Sequence, residues 1–223
     1  IRDYINKDCI VSLLMGFSAG VPLLMTLSIL QAWMKDFGVD LSMIGIFGLV
    51  GLPYSLKFTW APFLDKFSLP FLGRRRGWLL LSQILIILTM VGIYSIDIST
   101  QLIPLGMLCL MLSFFSATQD ILVDAYRREN VPEQHLPMSS SLYVIGYRVG
   151  MAVVGGLGLI LSDYMTFNSV FLCLSSFMCV GILTTLICDE NNYVVKTRES
   201  IIEPLLDYFR KNKALVILLF IFM

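Results

Sequence analysis

The sequence predicts an all-α integral membrane protein with six transmembrane helices and the start of a seventh. Its 223 residues are 57% hydrophobic and only 14% charged, whereas a soluble domain is about half apolar and a quarter charged. Apolar runs of about 20 residues, the length that crosses a bilayer, recur along the chain. The formal net charge of zero excludes a basic nucleic-acid-binding surface, so we expect no nucleic-acid partner and a lipid bilayer around the protein.

Six apolar segments are long enough to span a membrane. They are predicted at Cys9–Leu30, Leu41–Leu64, Gly77–Ile96, Leu102–Val123, Met138–Leu161 and Phe167–Cys188. A polar stretch, 189–213, follows, with apolar residues at helical spacing between Ile201 and Phe209. A further apolar run begins near Ala214. We therefore expect a six-helix unit at 1–188, a cytoplasmic linker at 189–213 and the start of a seventh helix at 214–223.

Basic residues are distributed very unevenly between the two sides of these spans. If the amino terminus is cytoplasmic, the loops on that side contain nearly all of the Lys and Arg, and Lys35 alone lies in a loop on the other side. Cytoplasmic loops are enriched in basic residues. The distribution predicts a cytoplasmic amino terminus.

Small residues and prolines predict how the spans pack and bend. Gly16 and Gly20 form one G-x-x-x-G pattern, and Gly146 and Gly150 form another; this spacing lets helix backbones approach closely in lipid. Pro22 and Pro53 lie within predicted spans and should bend them. The tryptophans Trp33, Trp60 and Trp78 fall near predicted span ends, where aromatic belts are expected.

Ionisable residues inside apolar helices are the strongest functional signal. A charge at the centre of a transmembrane helix costs at least ~2.5 kcal/mol, so Lys57, Asp120, Asp124 and Arg148 each need a partner, a wet cavity or a task. The helical rise places Lys57, Asp120 and Arg148 at about 12, 10 and 15 Å from the same side of the membrane. These similar depths make a Lys–Asp–Arg cluster geometrically possible.

The two aspartates have different expected roles. Asp120 is a candidate proton site because burial favours the neutral acid while a neighbouring cation favours the anion; the alternative is a static salt bridge with Lys57 or Arg148. Asp124 lies one turn nearer the surface, where an ion pair with the basic cluster Arg74–Arg76 is the simpler interpretation. Tyr143 and Tyr147 flank Arg148 and either line a polar cavity or pack the core.

Metal, cofactor and catalytic patterns are weak. The five cysteines form no C-x-x-C pair, and the single histidine, His135, has no neighbouring ligands. An intramembrane enzyme needs a nucleophile with a base, or a metal cluster, and the sequence offers neither pattern. We expect no cofactor and no enzymatic activity.

Several strings resemble a known family when taken as an ordered set. The loop after the second span reads A-P-F-L-D-K-F-S-L-P-F-L-G-R-R-R-G-W from Ala61 to Trp78, similar to the signature loop of the major facilitator superfamily. The strings G-F-S-A-G-V-P-L from Gly16, L-Q-A-W-M from Leu30, P-Y-S-L-K-F-T-W-A-P from Pro53, S-A-T-Q-D-I-L-V-D-A-Y from Ser116 and G-Y-R-V-G-M from Gly146 are similar to AmpG-type muropeptide permeases.

The resemblance implies a fold and an activity. The chain would be the amino-terminal six-helix half of a major-facilitator-type bundle, completed by a missing carboxy-terminal half. The whole carrier would import anhydromuropeptides (GlcNAc-anhydroMurNAc and its peptides) with protons across a bacterial inner membrane during peptidoglycan recycling. The alternatives are a carrier of another bulky polar solute such as acetyl-coenzyme A, or an inactive truncated permease, since the chain begins at Ile1 and ends within an apolar run.

The resemblance also sorts candidate residues into three groups. The acidic pair of the family matches Asp120 and Asp124, which with Lys57 and Arg148 form the expected proton-coupling and transport group. Candidates for the substrate cavity are Gln31, Tyr54, Gln119, Tyr143 and Tyr147. The expected inner gate consists of Asp65, Lys66, Arg74, Arg75 and Arg76.

Overall fold

The computed structural model describes residues 7–67, 69, 72–98 and 100–190, and all regular structure in these ranges is helical. The helices are α1 (Lys7–Leu24), α2 (Leu30–Asp36), α3 (Leu41–Phe47), α4 (Leu52–Leu56), α5 (Ala61–Lys66), α6 (Arg74–Tyr94), α7 (Leu102–Asn130), α8 (Leu136–Ser162), α9 (Phe167–Ser175) and α10 (Met178–Ile187).

Six continuous helical stretches are long and apolar enough to cross a membrane. These spans are Lys7–Asp36, Leu41–Thr59, Arg74–Tyr94, Leu102–Asn130, Glu133–Ser162 and Phe167–Ile187. The six predicted spans are thus confirmed. The predicted linker beyond residue 190 and the start of a seventh helix lie outside the described residues.

The span ends differ from the predicted ones by up to seven residues. The first span continues past Leu30 to Asp36, and the fourth continues past Val123 to Asn130. Hydropathy detects where apolar residues stop, whereas backbone hydrogen bonds continue a helix into the polar region of the membrane. The second span ends at Thr59 rather than Leu64, because the helix is interrupted near Trp60 before α5 begins.

Both prolines lie at breaks in regular helix geometry. After Pro22, the first span widens into a π-helical turn, Met25–Ile29, and the Thr26 hydroxyl donates to the Pro22 carbonyl at 3.1 Å. Pro53 lies in the first turn of α4, between the 3₁₀ turns Gly48–Gly51 and Lys57–Thr59. A proline has no N–H group to donate to the carbonyl four residues earlier, so the backbone hydrogen bonds of the helix rearrange around it. Lys57 therefore begins a 3₁₀ turn at the end of α4.

The closest helix pair is α1 with α8, and glycines on both helices make the approach possible. On each helix, two glycines four residues apart lie against the backbone of the other helix: Gly16 against Tyr143, Gly20 against Tyr147, Gly146 against Leu13 and Gly150 against Phe17. A Cβ atom at any of these four positions would overlap the facing carbonyl group. The predicted close packing of the G-x-x-x-G patterns is confirmed.

The first span lies at the centre of the bundle, whereas the second and fifth spans are the least buried. In the same bundle, α6 packs against α7, α9 and α10. Trp33 is fully buried and stacks on Phe167 with ring centroids 6.2 Å apart, so its expected position in an interfacial belt is wrong. Helical depth alone could not reveal that the indole faces the bundle interior.

Candidate functional site

Lys57 and Asp120 form an ion pair between the second span and α7. The Lys57 Nζ atom lies 3.8 Å from Asp120 Oδ2, which is too long for a hydrogen bond. Asp120 is only 6% exposed, while the Lys57 side chain is 38% exposed. The other carboxylate oxygen, Oδ1, is buried and has no hydrogen-bond partner among the described residues. The pair is therefore loosely held and only half satisfied.

Three tyrosines surround this carboxylate. Tyr54, Tyr143 and Tyr147 all lie within electrostatic range of Asp120. The rings of Tyr143 and Tyr147 are 6.0 Å apart on α8. The Tyr54 hydroxyl is buried and has no hydrogen-bond partner among the described residues. The structure thus brings together five of the residues that the sequence singled out, at the junction of the second span, α7 and α8.

Asp124 pairs with Arg127, which lies one turn further along α7, at 3.0 Å. The expected ion pair between Asp124 and the Arg74–Arg76 segment is wrong, because those arginines have other partners. The Arg127 guanidinium also lies over the Tyr143 ring, 4.3 Å from its centroid. Arg127 therefore connects Asp124 to the tyrosine that lies beside Asp120.

A second group of charges, the arginine cluster, consists of Asp65, Arg74, Arg75 and Glu129. Arg75 is only 3% exposed; its Nη2 atom lies 2.6 Å from Glu129 Oε1 and 2.7 Å from Asp65 Oδ1. Arg75 Nε also donates to Glu129 Oε2 at 3.1 Å, which makes the contact bidentate. Arg74 binds the same Glu129 at 2.8 Å. Short, multiply bonded contacts of this kind are strong and directional.

Arg76 and Glu190 connect the start of α6 to the end of the sixth span. The Arg76 guanidinium donates to the Thr185 and Leu186 carbonyls at 3.0 and 2.8 Å, near the carboxyl end of α10. Glu190 accepts the backbone N–H groups of Arg75 and Arg76, near the amino end of α6, at 2.9 and 3.2 Å. Both contacts satisfy groups that helix ends leave unpaired. Lys66, the remaining predicted gate residue, is exposed, 6.0 Å from the Phe67 ring centroid.

Three predicted site residues lie apart from the Lys57–Asp120 pair. Gln119 is fully buried and donates to the Ser18 hydroxyl of α1 at 3.1 Å, so it faces the bundle interior. Gln31 is exposed on α2. Arg148 is exposed on α8, and no ion pair joins it to any residue of the described ranges. Of the two possible partners for Asp120, the structure selects Lys57.

The sequence interpretation did not single out Glu129, Arg127 or Glu190. Glu129 and Arg127 lie at the polar end of α7, beyond the predicted end of that span. A usable signal existed, because two arginines that enter a membrane helix at Arg74 and Arg75 require nearby acids. In the part of the chain that is described, no group of three or more His, Cys, Asp or Glu residues is placed to hold a metal ion.

Six packed helices that are long and apolar enough to cross a membrane make this chain a polytopic membrane protein. The family model of the Major Facilitator Superfamily matches residues 9–223. The chain therefore belongs to the Major Facilitator Superfamily, and the predicted membership is confirmed.

Curated relatives narrow the comparison. The chain is 38% identical over 226 residues to the anhydromuropeptide permease of Escherichia coli (strain K12), covering 99% of this chain and 46% of that protein. It is 35% identical to a protein of Haemophilus influenzae, and the match covers 98% of this chain and 53% of that protein. It is 31% identical to the putative transporter AmpG 4 of Rickettsia felis, and that match covers 92% of this chain and 53% of the transporter. The chain spans about half the length of these relatives.

Proposed function

We propose that the complete carrier of which this chain is a part imports anhydromuropeptides together with protons across a bacterial inner membrane, for reuse of cell-wall fragments. The observation that supports this most is the 38% identity, over 99% of this chain, to a permease named for that cargo. We propose no catalytic step. Since carriers of this kind bind solute between two half-bundles, a second half is needed for transport.

Asp120 is the proposed proton site. A buried carboxylate beside one cation is balanced between two states, because desolvation favours the neutral acid and the cation favours the anion. The 3.8 Å distance to Lys57 and the unpartnered Oδ1 atom leave room for that balance to change. When water reaches Asp120, solvation favours the anion, so the neutral acid releases its proton. When water is excluded, the neutral acid is favoured and its attraction to Lys57 is lost.

The arginine cluster and Arg76 are the proposed brace of the inner gate. They hold α6, α7 and the end of α10 together at the end where the second span passes into α5. A cytoplasmic location for this end is part of the proposal, as the distribution of basic residues predicts. Labelling of single cysteines in intact cells tests the orientation: position 36 should react from outside only, and position 196 from the cytoplasm only. Reaction of both positions from one side would overturn the orientation.

The decisive experiment is transport in proteoliposomes that contain the complete carrier. Labelled GlcNAc-anhydroMurNAc-peptide should accumulate when an inward proton gradient is imposed and should not when the gradient is collapsed. Asp120→Asn should abolish accumulation but keep part of the exchange of labelled for unlabelled cargo, because exchange needs no net proton movement. Unlabelled acetyl-coenzyme A should not compete for uptake.

Asp124→Asn is the matched comparison, since it removes one carboxylate a single helical turn away on α7. It should slow accumulation and exchange alike, because Asp124 orients Arg127 of the same helix, whose guanidinium packs on the Tyr143 ring of α8, and this contact holds helices together in every mode of transport. If Asp120→Asn still concentrates cargo under a gradient, the coupling site lies elsewhere. If the unaltered carrier takes up no anhydromuropeptide, the proposed cargo is wrong.

A further inference from the structure

Arg148 is a permanent cation at mid-membrane depth. It lies near the middle of α8, about 18 Å from Leu136 at the amino end of the helix and about 21 Å from Ser162 at the carboxyl end. An arginine keeps its proton under all physiological conditions, so it cannot become neutral to relieve this position. Its charge must be met by water or by an anion.

Among the described residues, no carboxylate at the depth of Arg148 is free to serve as that anion. Asp120 is paired with Lys57, and Asp124 is paired with Arg127. At this depth, Lys57 and Asp120 compensate each other, and Arg148 has no ion-pair partner among the described residues. An intramembrane charge is kept because it has a partner or a substrate.

The position of Arg148 on its helix says where that partner comes from. Gly146, two residues earlier and about 200° around the helix, faces α1. Arg148 thus points away from the bundle interior, on one of the two least buried spans. Tyr147, which precedes it, belongs to the tyrosines around Asp120. Arg148 is therefore exposed on an open face of the half-bundle and is next in sequence to a tyrosine of this polar group.

We propose that Arg148 binds a carboxylate of the cargo and is the residue that makes the carrier prefer acidic peptides. The inference rests on the proposed function, since the peptide of an anhydromuropeptide has free carboxylates at neutral pH. The planar fork of a guanidinium binds a carboxylate through two parallel hydrogen bonds. A fixed positive charge serves this task without taking part in proton release, so cargo binding and proton binding are assigned to different residues.

The test compares two forms of one cargo in proteoliposomes of the complete carrier: labelled GlcNAc-anhydroMurNAc-peptide as the free acid, and the same compound with its peptide carboxylates converted to primary amides. For the free acid, Arg148→Gln should raise KM roughly 10- to 100-fold, as expected for loss of a charge-assisted hydrogen-bonded pair. The KM of Arg148→Lys for the free acid should lie between that of the unaltered carrier and that of Arg148→Gln. For the amide, the unaltered carrier should show the raised KM already, and Arg148→Gln should add no further change.

Lys35→Gln is the control, because Lys35 is an exposed cation near the end of α2, away from the Lys57–Asp120 pair. It should leave KM for both forms unchanged. The inference is overturned if Arg148→Gln impairs uptake of acid and amide equally, or lowers the unfolding temperature of the empty carrier, since Arg148 would then pair with an acid elsewhere in the protein. An unchanged KM for the acid overturns it too. Failure of the unaltered carrier to take up either form would instead refute the proposed function.

Discussion

The arginine cluster and the Lys57–Asp120 pair are both oppositely charged groups between helices, yet they are built differently. In the cluster, Arg75 binds two carboxylates at 2.6 and 2.7 Å, and Glu129 accepts from two arginines. In the pair, a single contact of 3.8 Å joins the two charges. Dense, bidentate contacts fix a geometry, whereas a single long contact leaves the charged and neutral states close in free energy.

The difference predicts opposite effects of mutation. Changes in the arginine cluster should reduce stability and leave the proton dependence of transport intact. Changes in the Lys57–Asp120 pair should leave stability nearly intact and should alter the proton dependence of transport. Unfolding of the complete carrier in detergent measures the first property, and gradient-driven uptake in proteoliposomes measures the second.

The largest loss of stability is expected for Glu129→Ala. The variant removes the shared partner of Arg74 and Arg75 and leaves Arg75, which is 3% exposed, with Asp65 alone. Removal of one partner of a buried ion pair costs up to ~3–5 kcal/mol, because the other charge stays buried without compensation. Thermal unfolding should show a much lower midpoint. Glu133→Ala, which removes an exposed acid at the start of the fifth span, is the control and should unfold like the unaltered protein.

The sequence predicted the depth of these charges but not their partners. The six spans follow from apolar runs of sufficient length, and similar depths for Lys57 and Asp120 follow from the fixed rise of a helix. Which cation reaches Asp120 depends on how each helix is rotated about its axis, and a local pattern does not encode that rotation. The same limit explains why two predictions are wrong: an interfacial position for Trp33, and an ion pair of Asp124 with the Arg74–Arg76 segment.

A smaller loss is expected for Arg75→Lys. The charge is kept, but one ammonium group cannot reproduce the bidentate contact with Glu129 and the contact with Asp65 together. Loss of one hydrogen bond to a charged group is worth about 1.5–3 kcal/mol, so the midpoint should fall less than for Glu129→Ala. A midpoint equal to that of the unaltered carrier would show that charge alone holds the cluster together.

A double-mutant cycle on the Lys57–Asp120 pair should give a coupling energy below about 1 kcal/mol, because the contact is long and Lys57 is partly exposed. The variants are Lys57→Gln, Asp120→Asn and the double change, each measured by unfolding in detergent. The equivalent cycle for Arg148 and Asp120 is the control. It should be additive within about 0.3–0.5 kcal/mol, since Asp120 pairs with Lys57. A coupling of several kcal/mol for Lys57 and Asp120 would make the pair a structural brace like the cluster.

The smallest effect is expected at a third charge pair, Lys7 with Asp189, which lies at the end of the bundle beside the arginine cluster. Its side chains are 56% and 83% exposed, so water and salt screen the attraction. Asp189→Asn should lower the unfolding midpoint at pH 7 only slightly. The buried Tyr126 hydroxyl donates to the Asp189 backbone carbonyl at 2.6 Å, and this contact survives the substitution. Tyr126→Phe should therefore destabilise the segment more than loss of the carboxylate does.

The pH dependence of this pair separates the two contributions. The hydrogen bond and the charge of Lys7 hold the pKa of Asp189 below its usual value in the folded protein. A carboxyl with a lowered folded-state pKa stabilises the fold above its unfolded pKa, about 3.9, and loses that contribution as pH falls through the folded value. The difference in unfolding midpoint between Asp189→Asn and the unaltered carrier should thus be confined to pH above that range. It should shrink as salt is added, because salt screens the attraction between Lys7 and Asp189. Asp163 is an exposed acid directly after the carboxyl end of α8, and Asp163→Asn gives the baseline for the loss of a single carboxylate. A large, salt-insensitive loss in Asp189→Asn would mean that the carboxylate, rather than the backbone contact with Tyr126, holds this segment against the bundle.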